Sequence, residues 1–311
     1  MSRNSSIRVA KLGAMLSPHH FWPPANFGAV SAELSDLETA QFVVLPVPYD
    51  STTTWRGGTR SGPAAILEAS MNMELFDREL GREICDVGIH TTDDIEPVMS
   101  GPEGMAKRIE SVIGEVLDAG KFPIMLGGEH SLTLGGVRAL ATRNEKISIL
   151  QIDAHTDLRD EYADTRFGHG CVMRRSSEIE NVAKIVQVGL RSTSLEENES
   201  IPSNVVQFWA EDIVHDFASF IPRILEELEG DVYLTFDVDG CDPSWMPDTG
   251  TPEPGGLSFY QVRDLFRAVC SQKKVGAFDC LELIGGHEAS AFATARLIYK
   301  VMGYLSERTG H

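Results

Sequence analysis

Three short stretches of this chain bring carboxylates and imidazoles together at spacings that could bind and activate a small molecule. The first is Asp153-Ala154-His155-Thr156-Asp157, directly after the apolar run ISILQI. In an extended chain, residues i, i+2 and i+4 point the same way, so two carboxylates and an imidazole converge on one side, spaced by the small Ala154 and Thr156. The second is Asp237-Val238-Asp239 after DVYLTF, with the same period of two, closed by Asp242-Pro243. The third is Gly127-Gly128-Glu129-His130 after FPIML, where two glycines permit a tight turn that delivers His130. Each motif alone also reads as a turn or a solvated strand end. Their joint occurrence after three separate strands reads as a metal site, because four carboxylates in one cleft would repel and raise each other's pKa unless cations were present. Aspartate and histidine without thiolate suit Mn²⁺ or a related ion rather than a structural zinc site. Two ions about 3.5–4 Å apart would share bridging carboxylates and lower the pKa of a water between them.

The elements that must position these groups alternate along the chain. Apolar or β-branched runs at 41–47, 122–126, 147–152, 184–190, 231–236 and 275–281 predict strands, with a weaker one at 86–90. Between them, apolar spacings of three and four predict helices at 104–118, 131–143, 218–229 and 259–271, and a final helix from about 289 to 307. Strands that are apolar throughout and alternate with helices imply an α/β fold with a parallel sheet covered on both faces. Ligands of such sheets bind beyond the carboxyl ends of the strands, where the three motifs lie. No linker, charge block or repeat divides the chain, so residues 1–40 are expected to form an N-terminal arm and 41–311 a single catalytic domain.

Composition narrows the partners. The 311 residues carry 46 acidic and 27 basic side chains, a net charge of −19, which argues against nucleic acid because phosphate backbones need clustered Lys and Arg. The 42% apolar fraction excludes disorder for most of the chain. No stretch approaches the roughly 18 apolar residues of a membrane helix, and the N-terminus lacks the apolar core of a signal peptide. Five scattered cysteines without a CxxC pair fit a reducing, cytoplasmic setting. A small-molecule substrate is therefore expected, with neither nucleic acid nor membrane as partner.

GGEHSLT at 127–133, DAHTDLRDEY at 153–162, TFDVDGCDP at 235–243 and TGTPEPGGLS at 249–258 resemble the signature blocks of the ureohydrolase family. That family includes arginase, agmatinase, guanidinobutyrase, proclavaminate amidinohydrolase and formiminoglutamase. PYDSTTTWRGGTRSGPAAI at 48–66 is similar to its early glycine-rich loop, and QVGLRS at 187–192 and TARLIYKVM at 294–302 extend the resemblance over most of 40–305. It implies a three-layer α/β/α sandwich around a mostly parallel sheet of about eight strands, and a dinuclear manganese centre. By the same resemblance His130, Asp153, Asp157 and Asp237 would hold one Mn²⁺. His155, Asp153, Asp237 and Asp239 would hold the other, with Ni²⁺ or another divalent ion as the alternative. It also implies a homotrimer or homohexamer, with Phe21 and Trp22 of the arm as candidates for packing between subunits.

At the substrate end, a guanidinium is a planar cationic fork whose natural partner is a carboxylate accepting two N–H bonds. Glu282 matches the family's glutamate in that role, although Ile284-Gly-Gly-His-Glu288 after it departs from the Asn-Pro or Ser-Pro and Asp of many members. His169, in FGHGCVMRR, resembles the family's proton-shuttle or leaving-group histidine, a task suited to an imidazole with pKa about 6.5. Asp157 would take or relay a proton. The segment 158–164 looks like the agmatinase type, and its acidic Asp160, Glu161 and Asp164 would suit a second positive charge, with Asp160 as a substrate-binding residue. The expected reaction is agmatine to putrescine and urea. Arg166, Arg174 and Arg175 keep open a carboxylate-tailed substrate such as 4-guanidinobutyrate, and a guanidine hydrolase using nickel is a further alternative. A catalytically silent binding or regulatory protein is the non-enzyme alternative, against which the six intact ligands argue. Trp55 and Trp245 are candidates for lining the pocket or a lid.

Overall fold

Runs of Val, Ile, Leu and Phe become strands here because both of their faces are covered, so continuous burial replaces polar–apolar alternation. In the computed structural model, which describes residues 24–307, these strands are β1 (Phe42–Pro46), β2 (Ile89–Thr91), β3 (Phe122–Leu126), β4 (Ile147–Ile152), β5 (Val182–Leu190), β6 (Val205–Trp209), β7 (Asp231–Asp237) and β8 (Val275–Leu281). They form one eight-stranded sheet in the order β2-β1-β3-β8-β7-β4-β5-β6. Every pairing is parallel. The last strand in sequence thus lies at the centre, with Phe278 opposite both Ile124 of β3 and Leu234 of β7.

The longer helices are α1 (Gly62–Ser70), α2 (Pro102–Asp118), α3 (Thr133–Ala141), α4 (Phe217–Glu226), α5 (Phe259–Gln272) and α6 (Glu288–Glu307). Side chains of one strand alternate between two helical layers: Phe42 and Val44 join the core under α1, α4, α5 and α6, whereas Val43 and Leu45 join Met105, Ile109 and Ile113 of α2. Phe236, Phe266 and Phe278 anchor the larger core, their rings meeting edge-on at 5.4 and 5.8 Å. Local chemistry starts the helices: Pro enters the first turn of α1 and α2, and Ser258 with Gln261 forms a capping box on α5. The architecture is a three-layer α/β/α sandwich.

Three details differ from the sequence expectation. Strand β6 was not anticipated, being a short, half-buried edge strand. The weak strand starts only at Ile89, because Ile84–Val87 winds into a 3₁₀ turn closed by Gly88 in a left-handed conformation. Residues 24–40 pack onto the domain rather than forming part of an arm: Phe27 and Val30 are buried, and the Phe27 and Gly28 amides donate to Thr91 Oγ1 at 3.0 Å and Ser70 Oγ at 2.9 Å. Phe21 and Trp22 lie outside the described residues. All five cysteines are buried. Among the described residues no helix is long and apolar enough to cross a membrane.

Gly136, inside α3, faces the Tyr233 hydroxyl so closely that an added Cβ would fall 2.0 Å from its oxygen. Replacing a helix-interior glycine with alanine ordinarily stabilises by about 1 kcal/mol. Here the sign reverses: Gly136→Ala is expected to destabilise by about 1–3 kcal/mol through overpacking. Thermal unfolding checks this, and an unchanged or raised Tm would mean that Tyr233 can move aside.

Candidate active site

Four neighbouring strands at the sheet centre, β3, β8, β7 and β4, each run out at the carboxyl edge into a polar residue of one cleft. After β3 the chain turns at Gly128, where a Cβ would lie 1.8 Å from the Tyr49 carbonyl oxygen, and it then presents His130. After β4 come Asp153, His155 and Asp157. Asp237 ends β7, and Asp239 follows in a 3₁₀ turn; Glu282 follows β8. Asp157 and Glu282 both hold left-handed backbone, with φ of 52° and 65°. For non-glycine residues this costs about 1–3 kcal/mol each and persists where the surroundings over-determine it.

The side chains converge as two overlapping groups. His130 Nδ1 lies 3.0 Å from Asp153 Oδ2, 2.9 Å from Asp157 Oδ2 and 3.5 Å from Asp237 Oδ2. His155 Nδ1 lies 3.0 Å from Asp239 Oδ2 and 3.6 Å from Asp153 Oδ1. Asp153 therefore turns one oxygen to each imidazole, as a bridging carboxylate would. Outer hydrogen bonds fix these groups. His130 Nε2 meets Thr235 Oγ1 at 3.0 Å, and Thr133 joins Thr235 to Asp279, which also accepts from Tyr233 at 2.6 Å. Gln151 donates to Asp153 Oδ2 at 2.7 Å, and Thr251 donates to Asp239 Oδ2 at 3.0 Å.

Electrostatics show which charge this arrangement suits. Burial, reinforced by the charge of Asp153, pushes Asp157 from 3.8 up to about 7. Burial and the neighbouring Asp239 and Asp153 push Asp237 well above the carboxylate range. Burial also raises Glu282, with the charge of Glu129 adding to it. Burial works against a charged His155, yet Asp239 and Asp153 outweigh it and drive that imidazole to about 12. The polypeptide alone thus balances its charges by retaining protons where a divalent cation would displace them. His130 Nδ1 is buried among three carboxylate oxygens without a well-directed hydrogen bond, which suits a ligand atom better than a hydrogen-bond donor. His130, Asp153 and Asp157 form one group able to hold an ion, and Asp153, His155 and Asp239 form a second.

The cleft above the cluster has a volume of about 230 Å³, and His169 and Glu282 both line it. Glu282 Oε1 accepts the His130 amide at 2.6 Å, which fixes the carboxylate. Burial, then the positive imidazoles of His130 and His155, pull His169 from 6.5 down to about 4. The ring is therefore neutral near pH 7. Asp160, expected to bind substrate, does not line the cleft: its exposed carboxylate is taken by Arg166 at 2.8 Å and by Arg175. Arg174 is spent on the Leu158 carbonyl and Ser200, so none of these three arginines is left to a substrate carboxylate. Trp55 is exposed, and Trp245 packs on Phe259 with its indole N–H on Leu257; neither lines the cleft. The unusual 284–288 segment is held by Asp248, whose carbonyl accepts from Ile284 and whose carboxylate accepts from His287.

Sequence reasoning passed over several cleft residues. Arg159 lies 4.4 Å from the centre of the Tyr162 ring and 3.7 Å from Glu197. Glu197 is buried, accepting from Thr156 Oγ1 and the Leu158 amide while it closes a capping box with Ser194. The Ser-x-x-Glu spacing at 194–197 was the available signal. Glu129 and Thr52 were passed over as well.

The sequence profile of the Arginase family matches residues 40–306. The chain belongs to the arginase family. Family members are dinuclear metal-dependent hydrolases, and this chain carries a matching His/Asp cluster. It is 37% identical over 304 residues to the N(1)-aminopropylagmatine ureohydrolase of Synechocystis sp., covering 94% of this chain and 98% of that protein. It is 34% identical over 272 residues to the agmatinase of Pyrococcus horikoshii, covering 86% and 93%. The crystal structure of the agmatine ureohydrolase of Thermoplasma volcanium superposes with a TM-score of 0.85 at 29% identity, covering 97% of this chain and 99% of that one. These likenesses make the chain a ureohydrolase-type enzyme.

A pH dependence follows from the crowded carboxylates. In the metal-free protein the raised Asp157 carboxyl stabilises the fold fully below the ordinary 3.8, and that contribution is lost as pH rises through about 7. A bound cation reverses the loss and needs fewer protons displaced at high pH. The gain in Tm on adding Mn²⁺ should therefore be larger at pH 8 than at pH 5.5. Equal gains would show that protons do not compete with the ion.

Proposed function

We propose that this protein hydrolyses the guanidino group of agmatine, giving putrescine and urea, with two Mn²⁺ ions per subunit. The observation that carries the reading is the sharing of one cleft by the His/Asp cluster, Glu282 and His169. His130, Asp153, Asp157 and Asp237 would hold one ion, and His155, Asp153, Asp237 and Asp239 the other. When bound, the pair supplies an activated water as nucleophile and takes up negative charge that develops on the substrate.

The chain's own residues do the rest. Glu282 keeps Oε1 on the His130 amide and offers Oε2 to the N–H groups of a guanidinium, whose positive charge offsets the burial of this carboxylate. Asp157, beside His130, takes or relays a proton. His169, a neutral imidazole on the cleft wall, exchanges a proton with the departing amine. The commitment of Arg166, Arg174 and Arg175 to internal partners weighs against a carboxylate-tailed substrate. The name of the Synechocystis relative favours a second reading, agmatine bearing an aminopropyl group. A homotrimeric or homohexameric, cytoplasmic enzyme completes the proposal, and five scattered, buried cysteines without a CxxC pair support a reducing compartment.

Urea release by manganese-loaded protein should be far faster from agmatine or N(1)-aminopropylagmatine than from arginine, 4-guanidinobutyrate or guanidine. No urea from any of them would overturn the reading. Asp153→Asn is expected to lose bound metal and turnover together, since Asp153 faces both imidazoles; wild-type metal content and rate would remove it from the ligand set. Glu282→Gln should weaken guanidinium binding, raising KM about 10- to 100-fold for the loss of one charged hydrogen-bond partner. An unmoved KM would take Glu282 out of the binding role.

A further inference from the structure

Glu129 is fully buried one residue before His130, and the reaction outlined above makes no use of it. Its carboxylate accepts four hydrogen bonds. Oε2 takes the backbone N–H groups of Ser51 and Thr52, both at 2.6 Å. Oε1 takes the hydroxyls of Thr52 at 2.9 Å and Ser131 at 2.6 Å. An ionised carboxylate offers about four lone-pair sites, so this one is filled. Its effect is to pin the loop after β1 against the turn after β3.

The next link is Thr52. A hydroxyl has one proton and two lone pairs. The proton of Thr52 goes to Glu129, so its oxygen can only accept from other groups. It faces His169 twice, accepting the backbone N–H at 3.0 Å and lying 3.2 Å from ring Nδ1. An oxygen with no proton to give bonds to Nδ1 only if Nδ1 carries the hydrogen. A neutral imidazole has one N–H, so Nε2 is left with a bare lone pair. Among the described residues Nε2 has no hydrogen-bond partner, and the residue lines the cleft, with Tyr162 edge-on to its ring at 6.0 Å.

We propose that Glu129 is a positioning residue that, through Thr52, locks His169 as the Nδ1–H tautomer and turns a bare Nε2 to the substrate as a proton acceptor. This rests on the reading of the cleft as a hydrolytic site and gives His169 an order of events. Nε2 first takes the proton released as the C–O bond forms. It then delivers that proton to the amine nitrogen as the C–N bond breaks, and the ring ends as it began. Thr52 is the second positioning residue, because its hydroxyl is the only link between the buried carboxylate and the ring on this path.

Neutron diffraction from deuterium-exchanged, manganese-loaded crystals at pH 7.5 reads the tautomer directly. Deuterium on Nδ1 with none on Nε2 is expected; deuterium on Nε2, alone or with Nδ1, overturns the proposal. This readout does not depend on turnover, so a failure to release urea would sink the functional reading and leave the tautomer result standing. Kinetics supply the second arm. Thr52→Val keeps the backbone N–H bonds to Glu129 and removes the hydroxyl, so kcat should fall between about 10- and 10⁴-fold with KM within about threefold. Thr52→Ser should restore most of the rate. A Thr52→Val enzyme with wild-type kcat would overturn the proposal.

Discussion

Five buried carboxylates, Asp153, Asp157, Asp237, Asp239 and Glu282, crowd together at one edge of the sheet, and no polypeptide can keep all of them ionised unaided. The rest of the site is organised around that electrostatic debt. Two imidazoles sit among the carboxylates, one oxygen of Asp153 faces each, and the remaining carboxylate, Glu282, is fixed by the His130 amide. A cation-free cleft of this composition holds protons in positions where metal ions and a guanidinium would serve better.

Such crowding demands rigid support, and the sheet provides it. Asp157 and Glu282 keep left-handed backbone because neighbouring groups hold them there. Behind His130 a buried relay of Thr235, Thr133, Asp279 and Tyr233 occupies Nε2, which commits Nδ1 to the cleft. Gln151 and Thr251 restrict carboxylates that would otherwise turn away from one another. Helix α3 thus both covers the sheet and carries Thr133, so packing and chemistry share one element.

Much of this was legible before any coordinates. Period-two aspartates after apolar runs point to a common rim because strand geometry is local, and parallel sheets put all carboxyl ends on one edge. What escaped was everything set by contacts distant in sequence. The acidic look of 158–164 suggested a cationic substrate tail, but Arg166 and Arg175 fold back and neutralise Asp160. The unperturbed pKa of an imidazole suggested an acid at His169, but burial beside two other imidazoles lowers it. Strand β6 alternates weakly because it is an edge, and residues 24–40 looked like an arm because few of them, such as Phe27, Val30 and Ala40, reach the core.

The strand order has a further consequence for the birth of the molecule. Strand β8, the last of the sheet to be synthesised, lies between β3 and β7, which carry His130 and the Asp237–Asp239 pair. Until it emerges, those two strands have no common neighbour to set their spacing, and the ligands they bear cannot be in register. Before β8 is made, neighbouring β4 and β7 can already bring Asp153, His155 and Asp239 together, whereas His130 on β3 has no fixed place beside them. A chain cut before β8 would lack both Glu282 and the strand that sets β3 beside β7, so the cluster could form only in part.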